Sequence, residues 1–504
     1  MIFVRLGIFV FLLPSLLGFL LWELAQARGR RNHWESLAFA FPIGWGAVST
    51  LMLLLATFGV RLAWILIASL VFLGCILAWM GIAYLTKTGM PPKESAPAAD
   101  SNIKGRNWIW WTFLGVIVLE LCLVAVPLVK NPIISDWDGW AIWGFKAKAF
   151  FVDRGFSGYL SRAIDYGFSW PARPCSSSIF QAYLYMVGGQ VLEGASRFAH
   201  LASFISLLLI FYCTLRRRLH APTAMAWTAM LATVPNLTDQ ATAGLGNILL
   251  AIFLFSAISA VDRWRAEGTG GYLVASSAFL GFALLTRDEA SGLCAICAAF
   301  ALLFAPRPDF TSRGRMLLQT IAVIAGAAAI YSLWLRMVKP FPVFDLRSVW
   351  LTPDLLPRAF QHIRDLGGVL GMIGGELAQP SEQALASPLE KWLGLSLFWV
   401  IFGVVFVLSA IRAILHRYET PILRQNELAT KCGICTVLGI VAYSAGLWLF
   451  PYTSLNDLDF WCNVLDRHIL SLVPLAACHI ALSLSPQTGP REPQGAMIGT
   501  GEPS

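Results

Sequence analysis

Long apolar runs separated by short polar connectors occupy most of this chain. Each run is roughly 15 to 25 residues long, the length that crosses about 30 Å of hydrocarbon as an α-helix. In lipid, the backbone amides and carbonyls of such a run find partners only when the run is helical. The pattern therefore predicts an all-α, polytopic membrane protein with about thirteen transmembrane helices. The predicted spans are 6–26, 36–59, 62–85, 108–129, 196–215, 221–237, 242–261, 272–286, 290–306, 316–335, 392–411, 432–450 and 466–484.

The composition supports this interpretation. Hydrophobic residues make up 57% of the chain and charged residues only 13%, and the mean hydropathy is +0.66. Soluble domains are nearer a quarter charged. The composition therefore excludes a single water-soluble core and favours an integral membrane protein.

The formal net charge of +8 resides mainly in connectors. Basic residues close to the ends of spanning helices mark the cytoplasmic side of a membrane protein. Placing Arg28–Arg31 in the cytoplasm assigns more than half of the 37 Lys and Arg residues to cytoplasmic connectors, Arg216–Arg218 among them. We expect the N-terminus outside and the C-terminus inside, and we do not expect nucleic-acid binding.

Two segments need separate treatment. Arg287, Asp288 and Glu289 interrupt the apolar stretch 271–306, which is too long for one span, so two short helices with an outer turn are predicted. Segment 176–192 is apolar, but a crossing there would invert the orientation of every later connector. An interfacial or re-entrant helix is predicted instead, with Tyr183 and Tyr185 at the level of the lipid headgroups.

The predicted organisation has five parts. They are an N-terminal three-helix membrane extension with a cytoplasmic linker (1–107), a core with an acidic first outer loop at 130–174 (108–335), a large outer loop (336–391), C-terminal membrane helices (392–485) and a disordered tail (486–504).

Alternation of the spans places four polar clusters on the extracytoplasmic face. Charges on the other face are mainly of one sign, as expected for orientation signals. The candidate chemistry is therefore on the outer face. The clusters lie in loop 130–174, at the turn 287–289, in loop 336–391 and at 456–468.

The first cluster carries two carboxylates, Asp136 and Asp138, at the exit of a spanning helix. A carboxylate near a low-dielectric boundary can serve as the general base for an acceptor hydroxyl. Two carboxylates can also bind a divalent cation such as Mg²⁺ or Mn²⁺. The candidate substrate contacts on this face are Trp137, Trp140, Lys146, Asp288, Glu289 and Asp466. The alternative for each tryptophan is an anchor in the interfacial aromatic belt.

Four stretches, in order, resemble glycosyltransferases of the C (GT-C) superfamily, in the bacterial lipopolysaccharide-core and protein-mannosyltransferase-like branch. The run from Ser135 to Lys148 is similar to the acidic first outer loop of that superfamily. The stretch from Tyr166 to Gly189 is similar to its Pro-containing segment. Residues Leu285–Glu289 resemble its T-K-N-E-G turn, and Asp466 through Pro474 resembles its late D-R-…-P helix start.

The resemblance implies an enzyme of the plasma (inner) membrane that moves a sugar from a polyprenyl-phosphate-linked donor to a glycan, lipid or protein acceptor at the outer face. It implies inversion at the anomeric carbon, with Asp136 or Asp138 as the base. Arginine forks bind phosphate bidentately, so Arg287, Arg467 and Arg347 are the candidates to hold the donor phosphate.

The chain departs from the superfamily pattern at three places. Phe168-Ser169-Trp170 replaces a His-Pro-Asp, Asp288 stands in place of Asn, and Ala290 in place of Gly. Two other functions therefore stay open. The chain could be a transporter or flippase of lipid-linked saccharides, although no internal repeat is evident, or a noncatalytic relative of the enzymes.

Overall fold

The computed structural model of the 504-residue chain describes residues 1–27, 32–88, 107–130, 133–134, 136–163, 165–169, 171, 173–287, 310–340, 398–399, 401–411, 427–449 and 469–485. Helices and turns make up this part of the chain, which contains no β-strand. The all-α prediction is confirmed.

The first eight helices run from the N-terminus through the acidic loop. They are α1 (Ile2–Ala25, π-helical over Gly7–Leu12), α2 (His33–Thr57), α3 (Trp64–Thr88), α4 (Asn107–Lys130), α5 (Phe145–Asp153, preceded by a π-helix at Asp138–Gly144), α6 (Ser157–Ser161), α7 (Ser176–Gly188) and α8 (Glu193–Arg216).

Eight further helices follow in the described residues. They are α9 (Ala221–Ala232), α10 (Pro235–Thr242), α11 (Asn247–Glu267), α12 (Gly271–Leu284), α13 (Phe310–Val338), α14 (Ile401–Ile411), α15 (Glu427–Leu449) and α16 (Val473–Leu484).

Seven of these helices are long and apolar enough to cross a membrane, and four shorter apolar helices accompany them. The chain is thus a multi-pass membrane protein, as predicted. The predicted span 290–306 lies outside the described residues, so the number thirteen stays a prediction. So do the domain boundaries. The long helices are α1, α2, α3, α4, α8, α11 and α13.

The predicted span 221–237 is made by two helices. Pro235 has no amide hydrogen and restricts the residue before it, so α9 ends at Ala232 and α10 begins at Pro235. The Nε atom of Arg197, near the start of α8, donates to Thr242 O at 2.9 Å. The end of α10 therefore lies beside the start of α8, and the two short helices together run back along α8.

Connectors predicted to share a face meet at one end of the bundle. Arg218 Nη2 lies 2.6 Å from Asp262 Oδ1, and Arg263 forms a buried ion pair with Glu35. These contacts join α2, α11 and the α8–α9 turn. The grouping of these connectors agrees with the alternation argument. Which side of the membrane this end faces stays a prediction.

Helix α7 is covered by protein along its whole length. Every residue of its 13-residue length is buried, and Tyr183 Oη donates to Phe9 O at 2.8 Å. Because α7 packs under α5 and against α1 and α2, Tyr183 and Tyr185 face protein, and their level relative to the lipid headgroups stays a prediction. The apolar character of the segment reflects contact with protein.

Helices α1 and α2 approach closely through glycines. A Cβ atom on Gly44 would lie 2.2 Å from Pro14 O, and one on Gly18 would lie 1.9 Å from Ala40 O. Small residues permit this approach, which gains van der Waals contact that lipid cannot replace. The N-terminal pair is therefore held by backbone-to-backbone packing.

We expect Gly44→Ala to lower the free energy of unfolding by about 1–3 kcal/mol, because the added methyl overpacks the α1–α2 contact. Gly115→Ala in α4 is the matched control, since a Cβ there meets nothing within 4 Å. Thermal denaturation of the purified variants in detergent measures both. An unchanged midpoint for Gly44→Ala contradicts the close approach.

Candidate functional site

The acidic loop is fixed by a helix cap. Asp136 Oδ1 accepts a hydrogen bond from Gly139 N at 3.0 Å, the bond by which an N-cap carboxylate satisfies a free amide of the first turn. The following turn is π-helical from Asp138 to Gly144, a conformation frequent at functional sites. Asp136 and Asp138 are both partly exposed, so both carboxylates reach the surface.

The loop lies directly against the connector between α10 and α11. A Cβ on Gly139 would lie 2.3 Å from Ala243 O, so only glycine permits this approach. Gly244, with a positive φ of 75°, faces the Ile134 side chain just before the acidic residues. The turn that carries Asp136 and Asp138 thus packs against the connector that leads into α11.

Two tryptophans of the loop are exposed and one is buried. Trp137 and Trp140 expose 55% and 44% of their surface, and their rings meet edge-on at 6.3 Å. Trp143 is buried. The first two rings are therefore accessible to a sugar or to the lipid interface, whereas Trp143 is part of the packing.

Lys146 is buried and held in place. Its Nζ donates to Arg173 O at 3.2 Å and lies 5.4 Å from the centre of the Trp143 ring. Lys148, whose side chain is partly exposed, forms an ion pair with Glu193 in which Nζ lies 2.5 Å from Oε1. Both lysines thus fasten α5 to neighbouring segments, and contact of Lys146 with substrate stays a prediction.

Arg197 joins the acidic loop to α10. The side chain is buried, and its Nη1 donates to Ile133 O at 3.1 Å while its Nε donates to Thr242 O. Glu193, one helical turn earlier, accepts from Ile134 N at 3.1 Å. The backbone just before Asp136 is therefore held by two side chains of α8.

Arg287 lies at the same end of the bundle. Its Nη1 donates to Asn247 Oδ1, and Asn247 Nδ2 donates to Gln240 Oε1 at 2.8 Å. The series Gln240, Asn247 and Arg287 connects α10, α11 and the end of α12. Because Ala243 in the same connector contacts Gly139, the acidic turn and Arg287 adjoin one shared segment, as the sequence predicts.

The start of α7 connects both halves of this region. Ser176 N donates to Leu285 O at 2.7 Å, two residues before Arg287. Ser178 Oγ donates to Trp143 O at 2.8 Å in the acidic π-helix. Ser177 Oγ lies 3.1 Å from His200 Nε2 of α8. Ser176 and Ser178 thus connect the Arg287 segment and the acidic segment through α7, and Ser177 ties α7 to α8.

Aromatic packing stiffens the rest of the loop. Phe150 meets Phe156 at 4.5 Å and Tyr159 at 5.3 Å, and Tyr159 Oη lies 2.6 Å from Ser169 Oγ. Burial raises the pKa of Tyr159, so its phenol stays neutral as a hydrogen-bonding group. Ser169, at the place where the GT-C pattern has its Pro, therefore has a structural partner.

Several predicted site residues lie outside the described residues. These are Arg347, Arg467, Asp288, Glu289 and Asp466. In the described ranges, no group of three or more His, Cys, Asp or Glu residues could hold a metal ion. A divalent cation at Asp136 and Asp138 stays a prediction and enters no step below.

The site contains residues that sequence reasoning missed, namely Glu193, Arg197, Gln240, Asn247 and the serines of α7. A signal was present: Glu193 and Arg197 are spaced by four in the first turns of an apolar helix, and Asn247 opens another. Polar residues inside spanning helices are costly unless they are partnered, and they mark functional or structural contacts.

Residues 172–334 match the dolichyl-phosphate-mannose-protein mannosyltransferase family, which is a family of the GT-C superfamily. The match runs from the segment before α7 into α13, about a third of the chain. It contains Arg197, Asn247 and Arg287, whereas the acidic loop precedes it. Searches of curated proteins and of solved structures found no match.

The predicted resemblance to the GT-C superfamily is therefore confirmed. The match over 172–334 supports a membrane glycosyltransferase of the GT-C type.

We expect Arg197→Met to lower the free energy of unfolding by about 2–4 kcal/mol, because it removes two charge-assisted hydrogen bonds, to Ile133 O and Thr242 O. Arg162→Met is the control, since its ion pair with Asp153 is exposed. Thermal denaturation in detergent gives the difference, and limited proteolysis reports loosening of loop 130–174. Equal stability of the two variants would contradict the inference that Arg197 holds the acidic loop against α10.

Proposed function

We propose that this protein transfers a sugar from a polyprenyl-phosphate-linked donor to an acceptor hydroxyl at the extracytoplasmic face of the plasma membrane. The family match over 172–334 carries the proposal. The geometry adds support, because the matched region holds the acidic loop through Arg197, Ser178 and the α10–α11 connector. Polyprenyl-phosphate mannose is the first donor to test, since the matched family is named for a mannosyl phosphate lipid.

The reaction is a direct displacement with inversion. Asp136 or Asp138 takes the proton of the acceptor hydroxyl, whose oxygen attacks the anomeric carbon of the donor. The bond between that carbon and the phosphate oxygen breaks, and polyprenyl phosphate leaves with the electron pair. Gly139 N fixes the Asp136 carboxylate through Oδ1, so we assign Oδ2 of Asp136 as the first candidate base.

Arg287 is the described candidate for holding the donor phosphate. Its contact with Asn247 orients the guanidinium at the end of α12, and a guanidinium stabilises the charge that develops on the leaving phosphate. Arg347 and Arg467 complete the proposed phosphate contacts. Trp137 and Trp140 provide exposed aromatic faces for stacking on the sugar or its acceptor.

The role of the acidic loop is tested by transfer of radiolabelled sugar from a panel of polyprenyl-phosphate donors. We expect Asp136→Asn to reduce transfer by about 10²–10⁴-fold through loss of the base. Asp138→Asn is assayed beside it, and the larger loss identifies the base. Asp165→Asn, an exposed carboxylate of the same loop, should retain activity.

Thermal melting of each variant excludes unfolding as the cause. If the wild-type protein neither transfers nor hydrolyses any donor, and both variants behave like it, the carboxylates are structural. In that case a transporter of lipid-linked saccharides or a noncatalytic GT-C relative describes the chain better.

A second prediction concerns the phosphate. We expect Arg287→Gln to raise the KM for the donor by about tenfold or more, because a charge-assisted hydrogen bond to phosphate is lost. Arg336→Gln removes the same charge from an exposed position on α13 and should leave the KM unchanged. Equal kinetics for the two variants would remove Arg287 from the donor site.

A further inference from the structure

An open apolar groove lies between α1 and α3, away from the site described above. Its volume is about 610 Å³, and nine of its ten lining residues are apolar. The lining residues are Ile8, Phe9, Leu12, Leu13, Leu16, Trp64, Ile65, Ala68, Ser69 and Phe72. Its walls are exposed at Leu12, Ile65 and Phe72, so the groove opens to the surroundings of the bundle.

The packing of the two helices explains the groove. Leu17 lies 3.2 Å from the Cβ position of Gly74, and Leu24 lies 3.2 Å from that of Gly81, so α1 and α3 are close over these turns. Nearer the other end, Phe9 and Trp64 stand between them with ring centres 5.2 Å apart. Glycines bring one part of the pair together and aromatic rings hold the other part apart.

Arg5 lies at one end of the groove, and the backbones of Arg61 and Arg154 adjoin the start of α3 at the same end. The Arg5 guanidinium stacks on the Trp64 ring at 4.5 Å, and its buried Nε has no hydrogen-bond partner among the residues the structure describes. Leu62 N donates to Arg154 O at 2.9 Å, which brings Arg154 beside Arg61 and the start of α3. Within the same part of the chain, no carboxylate forms an ion pair with these three arginines. The neighbouring Asp153 is engaged by Arg162.

Arg154 adopts a conformation that arginine seldom takes. It caps the end of α5 with φ 52° and ψ 35°, and it is the one non-glycine residue with positive φ in the described ranges. Glycine is the usual residue at such a cap. An arginine held there at a conformational cost is consistent with use of its side chain, because such strain concentrates at ligand sites.

We infer that the groove binds one acyl chain of an anionic bilayer phospholipid, whose phosphate group is held by Arg5, Arg61 and Arg154. The groove extends over nine residues of each helix, about 12 Å from the first to the last, close to the ~15 Å hydrocarbon depth of one leaflet. Charge complementarity selects an anionic headgroup. The mouth lies at the end of α5 remote from Asp136, so the lipid is distinct from the sugar donor.

The test is lipid retention by the purified full-length protein, which requires no transfer activity. Phosphatidylglycerol or phosphatidylcholine is added in detergent, and bound lipid is counted by native mass spectrometry. We expect the wild-type protein to retain phosphatidylglycerol about tenfold more strongly. Arg5→Gln should reduce this preference by about five- to tenfold, as loss of a charged hydrogen bond to phosphate would.

Two variants separate binding from folding. Arg154→Gly should raise the melting temperature by relieving the left-handed strain while it lowers phosphatidylglycerol retention, a combination that general unfolding does not produce. Ser69→Trp fills the groove from an exposed position and should lower retention of phosphatidylglycerol with all three arginines present. Lys87→Gln removes a charge from the far end of α3 and should change nothing.

Equal retention of the two lipids by the wild-type protein overturns the inference. So does equal phosphatidylglycerol retention by the Arg5, Arg154 and Lys87 variants. If polyprenyl phosphate displaces phosphatidylglycerol at an equal or lower concentration, the groove belongs to the donor lipid and the bilayer-lipid assignment is wrong.

Discussion

Hydrocarbon offers no water to a backbone amide or carbonyl, and the arrangement of this protein depends on that constraint. Within α8 and α11 the helices satisfy their own groups. At helix ends and in loops, side chains donate hydrogen bonds to backbone carbonyls: Arg197 donates to Ile133 O before the acidic loop and to Thr242 O at the end of α10. Arg197 thereby ties the end of α10, the helix that begins at Pro235, to the start of α8. The same arginine positions the turn that bears Asp136.

The candidate site is consequently assembled from parts that are far apart in the chain. The acidic turn rests on the α10–α11 connector through Gly139, and the Arg287 segment rests on the same region through Asn247. Helix α7 holds the two together with hydrogen bonds from Ser176 and Ser178. A loop supported in this way is rigid enough to place a carboxylate, whereas a free outer loop would leave its orientation to chance. The family match covers the supporting helices and stops short of the acidic turn itself.

The N-terminal helices α1, α2 and α3 precede the matched region, yet they are packed firmly on it. Tyr183 of α7 bonds to Phe9 O, and Glu35 of α2 pairs with Arg263 of α11. They are therefore part of the same body of protein as the site. A groove that opens between α1 and α3 gives this extension a surface of its own, with arginines at one end and apolar walls along its length.

The sequence by itself determined the helical, membrane-spanning architecture, because the length of an apolar run and its need for internal hydrogen bonds leave few alternatives. It also predicted that the acidic turn and Arg287 share an end of the bundle, since each crossing reverses the chain, whereas the clusters of 336–391 and 456–468 lie largely outside the described residues. Arg287 and the acidic turn were grouped on that basis alone. Only the tertiary structure decided that Tyr183 is covered by protein, that Pro235 begins a separate helix, and that Lys146 donates to Arg173 O. These outcomes depend on which neighbour covers a segment. An apolar segment can be covered equally well by lipid or by protein, so the hydrophobic pattern of the sequence does not indicate which of the two covers it.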